Sequence, residues 1–171
     1  MLKHLYLPLA LAVLFPLSAQ AREVAVFDMS FINFSQEVEF GAKNEAEHRR
    51  IEMLNAYLRQ LLAESGEFQL VDTAPLGKDV HKYGDVFTCN LCEEKLAREA
   101  GAPASITGAV QKLSVLVQTI ILRERDASTG KVVRLYQTDI RGNTDEAWKR
   151  GLKWLVDHRL LAEAQQEPAA K

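Results

Sequence analysis

The sequence predicts an α/β protein of the α+β kind: a mixed sheet with helices packed on it, in the order β-α-β-α-β-β-β-α. Three observations predict it. A short run that is apolar on both faces, a long amphipathic segment and a second short strand form a strand–crossover–strand unit over residues 23–72. Residues 105–139 are rich in β-branched side chains and broken only by turn signals, as in a meander. A last amphipathic segment begins at Asn143.

Residues 23–30, EVAVFDMS, have apolar side chains on both alternating faces, the pattern of a buried central strand. Residues 31–43 carry Phe31, Phe34 and Phe40 among polar residues and read as a loop over the core. A long helix begins at Asn44, with Glu45 and Glu47 in its first turn and Gly66 at its end. Ile51, Leu54, Leu58, Leu61 and Leu62 recur at helical spacing as its buried face, while Arg49, Arg50, Glu52 and Arg59 read as a solvated remainder. Residues 68–72 alternate as a second strand, closed by Pro75 and Gly77. Residues 77–88 read as irregular, and a second helix is expected over 89–100, stopping at Gly101 and Pro103.

Residues 106–110 form the next strand, 111–114 a turn or bulge, and 115–122 a long β-branched strand. Residues 126–130, DASTG, are a hairpin loop with Gly130 near the left-handed position, and residues 132–140 return as a strand. Gly142 ends the sheet. Asn143 is the expected cap of the last helix, with Glu146 as its reciprocal partner, and Asp145–Lys149 and Glu146–Arg150 as i,i+4 pairs. Trp148, Leu152, Leu155 and Val156 form the apolar side of that helix. The expected domain is therefore 22–161, with 162–171 as a frayed tail.

Residues 1–21 read as a Sec-type leader: Lys3 and His4 precede an apolar run, and Ala19-Gln20-Ala21 is an A-x-A cleavage site. The apolar run is shorter than the about 20 residues of a membrane span. Arg22, not Cys, follows the cut, so a lipoprotein is not expected and the mature chain is placed in the periplasm. The net charge is −2 at pH 7, slightly more acidic once Lys3 is removed. A nucleic-acid binder would show a basic excess, so nucleic acid is excluded as a partner, and no membrane insertion of the mature chain is expected.

The two cysteines, Cys89 and Cys92, lie in CNLC. Covalent haem attachment needs a following His, and position 93 is Glu. A closed zinc site needs two further ligands; His81 is the nearest histidine, with Asp79 and Asp85 beside it. A redox pair at a helix start is favoured by the helix dipole, which lowers a thiol pKa. Glu93 and Glu94 work against it, because nearby negative charge raises that pKa. The remaining reading is a local disulfide that pins the 77–88 loop to its helix, natural in an oxidising compartment.

Asp28 follows the first strand, where carboxylates of α/β proteins often act, though such a residue is as often a loop cap. The sequence holds no G-x-S-x-G, H-E-x-x-H, P-loop or dinucleotide fingerprint. Trp148 and Trp154 read as core and rim of one helix, or as a ligand cage.

Four stretches carry a resemblance: Val24-Ala-Val-Phe-Asp28, Cys89-x-x-Cys92-Glu93, Gly108-x-Val-Gln-Lys-x-Ser114 and Asp139-Ile-Arg-Gly-Asn-Thr-Asp-Glu-Ala-Trp148. Together they resemble the secreted proteobacterial domain-of-unknown-function family 3280. Position 147 is Ala, where relatives often carry Ser. The family has no established activity, so the resemblance transfers no catalytic residue. It implies a pathway neighbourhood of periplasmic quinoprotein alcohol oxidation. The element order is also similar to the amino-terminal domain of the Tol propeller protein, and to envelope assembly proteins of the curli-secretion and penicillin-binding-protein-activator kind. Those domains bind proteins, and the analogy is one of fold.

The first expectation is thus a non-enzymatic accessory domain that holds a periplasmic or envelope protein. It would bind through its sheet edge or through a face near Asp28, Arg141, Gly142, Asn143 and Trp148. The second is a thiol–disulfide oxidoreductase or thiol carrier acting through Cys89 and Cys92. The third is metal or cofactor delivery. No resident cofactor is expected.

Overall fold

The computed structural model describes residues 21–41 and 43–165; residues 1–20, which hold all but the last residue of the expected leader, residue 42 and residues 166–171 lie outside the described residues. The described elements are β1 (Arg22–Val26), β2 (Ser30–Asn33), α1 (Glu45–Ser65), β3 (Phe68–Val71), α2 (Gly77–Tyr83) and α3 (Cys92–Glu99), then β4 (Ala104–Lys112), β5 (Val117–Asp126), β6 (Val132–Arg141), α4 (Asp145–Leu155) and α5 (Leu161–Ala164). A π-helical turn, Val156–Leu160, joins α4 to α5.

The sheet has the order β3-β1-β4-β5-β6, with β2 also on β4. β3, β1, β2 and β4 run parallel, and β4, β5 and β6 form the antiparallel meander. This is the mixed α/β sheet the sequence predicts, with two short elements added. The first predicted strand is interrupted: Val26 pairs with Ile106 and Ser30 with Ala109, so one extra residue is inserted on the β1–β2 side. The insertion acts as a bulge that ejects Asp28 from the sheet. Residues 31–33, read as loop, are therefore strand, and residues 77–83, read as irregular, form α2.

β1 is apolar on both sides because both faces are covered. Val24 and Val26 join the large core, whereas Ala25 and Phe27 join a small one on the other face. The large core lies under α1 and α4. Leu54, Leu58 and Leu62 of α1 and Trp148, Leu152 and Leu155 of α4 are each at most 1% exposed there. Each aliphatic side chain so removed from water contributes about 1.5–3 kcal/mol. The small core is built by Leu96 and Ala97 of α3, Val86 and Cys92.

Two glycines set close approaches. A Cβ at Gly108 would fall 2.4 Å from the Ile121 carbonyl oxygen, and one at Gly151 would fall 2.3 Å from Ile140 Cγ2. Gly151 thus lets α4 settle directly on β6. Strand β6 ends the sheet, so among the described residues its outer edge has no partner strand.

The last helix starts one residue later than expected. Thr144 is its cap, and the hydroxyl accepts from the Ala147 N–H at 3.2 Å. Asn143 is drawn away, because its side-chain amide donates to Glu47, 96 residues earlier. Asp145 pairs with Arg50 at 2.8 Å rather than with Lys149, and among the ion pairs of the described residues none joins Glu146 to Arg150. The helical path continues through the π turn to Ala164, which is buried. Tyr136 donates its hydroxyl to Glu163 at 2.6 Å, which holds that end against β6.

Candidate functional site

Between the free edge of β6 and the outer side of α4 lies a groove of about 300 Å³, lined by Thr138, Asp139, Ile140, Arg141, Ala147, Arg150, Gly151 and Trp154. The strand supplies its floor and the helix one wall. Gly151 keeps that wall close to Ile140. Trp154 is 46% exposed and stacks on His158 at 5.3 Å with an interplanar angle of 15°. His158 Nδ1 lies 3.1 Å from the Trp154 carbonyl oxygen, inside the π turn, so the indole face is held in place. π-helical turns recur at functional sites.

Arg141 and Arg150 are exposed, and among the described residues neither has a carboxylate within ion-pair distance. Asp139 also lines the groove and accepts a 2.6 Å hydrogen bond from the Thr119 hydroxyl of β5.

A buried polar network supports the groove from behind. Lys112 Nζ donates to Glu47 Oε1 at 2.8 Å, and the Asn143 amide donates to the same oxygen at 2.7 Å. Arg50 bridges Asn143 at 3.1 Å and Asp145 at 2.8 Å. Burial pushes the Glu47 carboxyl up, but the hydrogen bonds from Lys112 and Asn143 outweigh it and hold it below the usual range. Burial likewise pushes the Lys112 ammonium down, and its bonds to Glu37 and Glu47 outweigh that and hold it above the usual range. Gly142, at φ +91°, makes the turn that a side chain would strain, and its N–H donates to the Leu116 carbonyl. The turn 141–143 is therefore fixed from α1, β4 and the β4–β5 loop.

The residues singled out in the sequence divide accordingly. Arg141 lines the groove, and Gly142 and Asn143 shape the turn beside it. Trp148 is fully buried, stacked on Phe31 at 6.2 Å, and takes part only as core. Trp154 is the exposed one: at about 100° per residue, six residues place it well around the helix from Trp148. Arg150 and Trp154 were legible only as a pairing residue and a rim residue, since nothing local reports that β6 is an edge.

Asp28 lies outside the groove, at the carboxyl end of β1 between β3 and β4. Arg59 holds it at 2.7 Å and also donates to the Val26 carbonyl, so it clasps β1 to α1. Cys89 and Cys92 are joined as a disulfide with a Cα–Cα distance of 5.9 Å. Cys92, not Cys89, opens α3; Cys89 belongs to the loop before it. The bond pins this loop to the helix. Arg123 reinforces it, donating to the Phe87 carbonyl at 2.8 Å and to both oxygens of Glu93 at 3.0 Å. Arg125 also pairs with Glu93, which is 1% exposed. The charge of Glu93, expected to disfavour a thiolate, is thus compensated by two guanidiniums. His81 is exposed on α2, and among the described residues no cluster of three His, Cys, Asp or Glu could hold a metal ion. Among the same residues no helix is long and apolar enough to cross a membrane.

Residues 22–160 match the model of the DUF3280 family, described as "Protein of unknown function (DUF2380)". No curated protein matches the chain. Among solved structures, the chain is similar to the LpoB C-terminal domain from Escherichia coli at 17% identity and a TM-score of 0.50, covering 71% of this chain and 84% of that one. Lipoprotein GNA1162 from Neisseria meningitidis gives 18% identity and 0.48 over 84% of this chain and 99% of that one. TolB from Acinetobacter baumannii gives 12% and 0.42 over 81% of this chain and 29% of that one. At these identities the LpoB likeness is one of fold, and the TolB likeness is too loose to carry the expected Tol analogy.

Proposed function

We propose that this chain, which belongs to the DUF3280 family, is a non-enzymatic periplasmic binding module that holds a partner protein along the β6 edge. The observation that carries the reading is the groove itself: a strand edge beside a half-exposed Trp154 stacked on His158 and two guanidiniums, edge and guanidiniums alike without a partner among the described residues. An open edge supplies main-chain hydrogen bonds to an added strand, and neighbouring side-chain pockets supply selectivity. The leader-like residues 1–21 and the disulfide support an exported, oxidising location. A role beside a quinoprotein oxidation system is the finer form of this proposal, and it rests on the family resemblance alone.

The test places a photocrosslinking amino acid at Gln137 of β6 in native cells, with Glu52 of α1, exposed on another element, as control. A discrete adduct with one protein from position 137 and not from 52 is expected. That protein, once purified, should bind the chain and lose binding to Trp154→Ala. No adduct at 137, or the same adducts from both positions, refutes the reading.

A further inference from the structure

We infer that the groove between β6 and α4 takes an extended peptide segment of acidic character, added as a strand to β6. One of its carboxylate side chains would lie on Arg141 or Arg150 and one of its apolar side chains on Trp154. This inference rests on the binding reading above and names the chemistry of the partner.

The geometry fits a strand. β6 spans ten residues, and every second residue of an edge strand turns its N–H and C=O outward. The groove follows β6 from Thr138 to Arg141, a run of about 10 Å at the rise of a strand. Strands at sheet edges are commonly blocked by Lys or Pro; β6 carries neither, and its inward charge, Arg134, sits at the end away from the groove. A segment laid here would sit between strand and helix, with alternate side chains turned toward α4 and the rest toward solvent.

The charges select the occupant. The chain as a whole is slightly acidic, so its net charge does not attract acidic partners. Attraction must be local, and Arg141 and Arg150, which have no acidic partner among the described residues, supply it as guanidiniums that can donate to a carboxylate in a bidentate pair. Among the described residues that line the groove Asp139 is the one carboxylate, and it is engaged by Thr119. A second copy of this chain is a poorer occupant. Its β6 would bring Arg141 with Asp139 and its α4 would bring Arg150, so two grooves set edge to edge would place four guanidiniums against two carboxylates. Trp154 offers a flat apolar surface backed by His158 and asks for an apolar or aromatic side chain two residues from the acid.

The test pans randomised short peptides displayed on phage against the purified exported protein, and in parallel against Arg141→Gln/Arg150→Gln. Both arginines are exposed and have no acidic partner among the described residues, so the double variant keeps the fold. Enrichment of Asp or Glu two positions from an apolar residue is expected on the wild type and not on the double variant. A selected peptide, made synthetically, should move the amide signals of β6 and the Trp154 indole signal in a protein NMR spectrum. The Arg→Gln change at the guanidinium that holds the carboxylate should weaken it about tenfold. Absence of acidic enrichment, equal affinity for the double variant, shifts elsewhere in the protein, or self-association through β6 overturns the inference. The two readings separate cleanly. A Gln137 adduct without acidic preference removes this inference and keeps the binding module. Acidic selection without an adduct in cells keeps the groove chemistry and removes the partner-holding role.

Discussion

Replacing Lys112 by Met tests the buried network behind the groove. Lys112 and Glu47 have side chains 4% and 8% exposed, and their charges meet at 2.8 Å. At that distance the gross attraction is about 6 kcal/mol for an effective dielectric constant near 20. The variant no longer desolvates an ammonium, which offsets part of the loss, but it leaves the Glu47 carboxylate buried with Asn143 as its remaining side-chain donor. The expected cost at pH 7 is about 3–5 kcal/mol. The sign with pH follows from the two shifts. The Glu47 carboxyl is lowered in the fold, so its contribution is present above its ordinary value of 4.5 and is lost as pH falls below it. The Lys112 ammonium is raised, so its contribution is present below 10.5 and is lost as pH rises beyond it. In the variant, burial without a cation pushes Glu47 upward, and protonation then relieves the penalty in acid. Urea unfolding followed by circular dichroism, at pH 7 and near pH 4, should therefore show a large destabilisation that shrinks in acid. Glu47→Leu/Lys112→Met should recover most of it, short of about 1 kcal/mol for the orphaned Asn143 amide. A single-variant cost below about 1 kcal/mol, or one equal at both pH values, refutes the argument that a buried pair holds this end of the sheet.

Three further outcomes are expected. Cys89→Ser opens a very short ring and should cost about 2 kcal/mol in urea unfolding, while the Gln137 adduct in cells persists; loss of that adduct at unchanged stability would favour a thiol role. Thr144→Ala should lower the melting temperature by an amount equivalent to about 1 kcal/mol, since the hydroxyl caps α4; no change would return the cap to Asn143. The Asp126 carboxyl accepts from the hydroxyls and N–H groups of Ser128 and Thr129 and is held down at about 2. Its contribution is present above its ordinary 3.8 and disappears as pH falls toward 2; a carboxyl-carbon NMR titration with a midpoint near 3.8 would contradict this.

Periodicity made most of the fold legible. The α1 stripe of Ile51, Leu54, Leu58 and Leu62 is buried as its spacing requires, and the 126–130 loop closes with Gly130 at φ +70°. The two faces of residues 24–27 enter two cores because both alternating positions are apolar. Local spacing also brought Cys89 and Cys92 within reach of a disulfide. These features depend on neighbours a few residues away, so the chain order itself carries them.

Tertiary structure decided the rest, where partners are far apart in sequence. Asn143 has the chemistry of a helix cap, yet Glu47 claims it across 96 residues, and Thr144 takes the end of α4. Glu93 reads as a charge that works against a thiolate until β5 lays Arg123 and Arg125 against it. Arg150 reads as the i+4 partner of Glu146, and its availability appears only once α4 lies beside β6. That β6 is an edge at all depends on the order of strands in the sheet, which strand composition does not encode. The groove exists because Gly151 lets a helix approach a strand that has no further neighbour, a relation between surfaces rather than between adjacent residues.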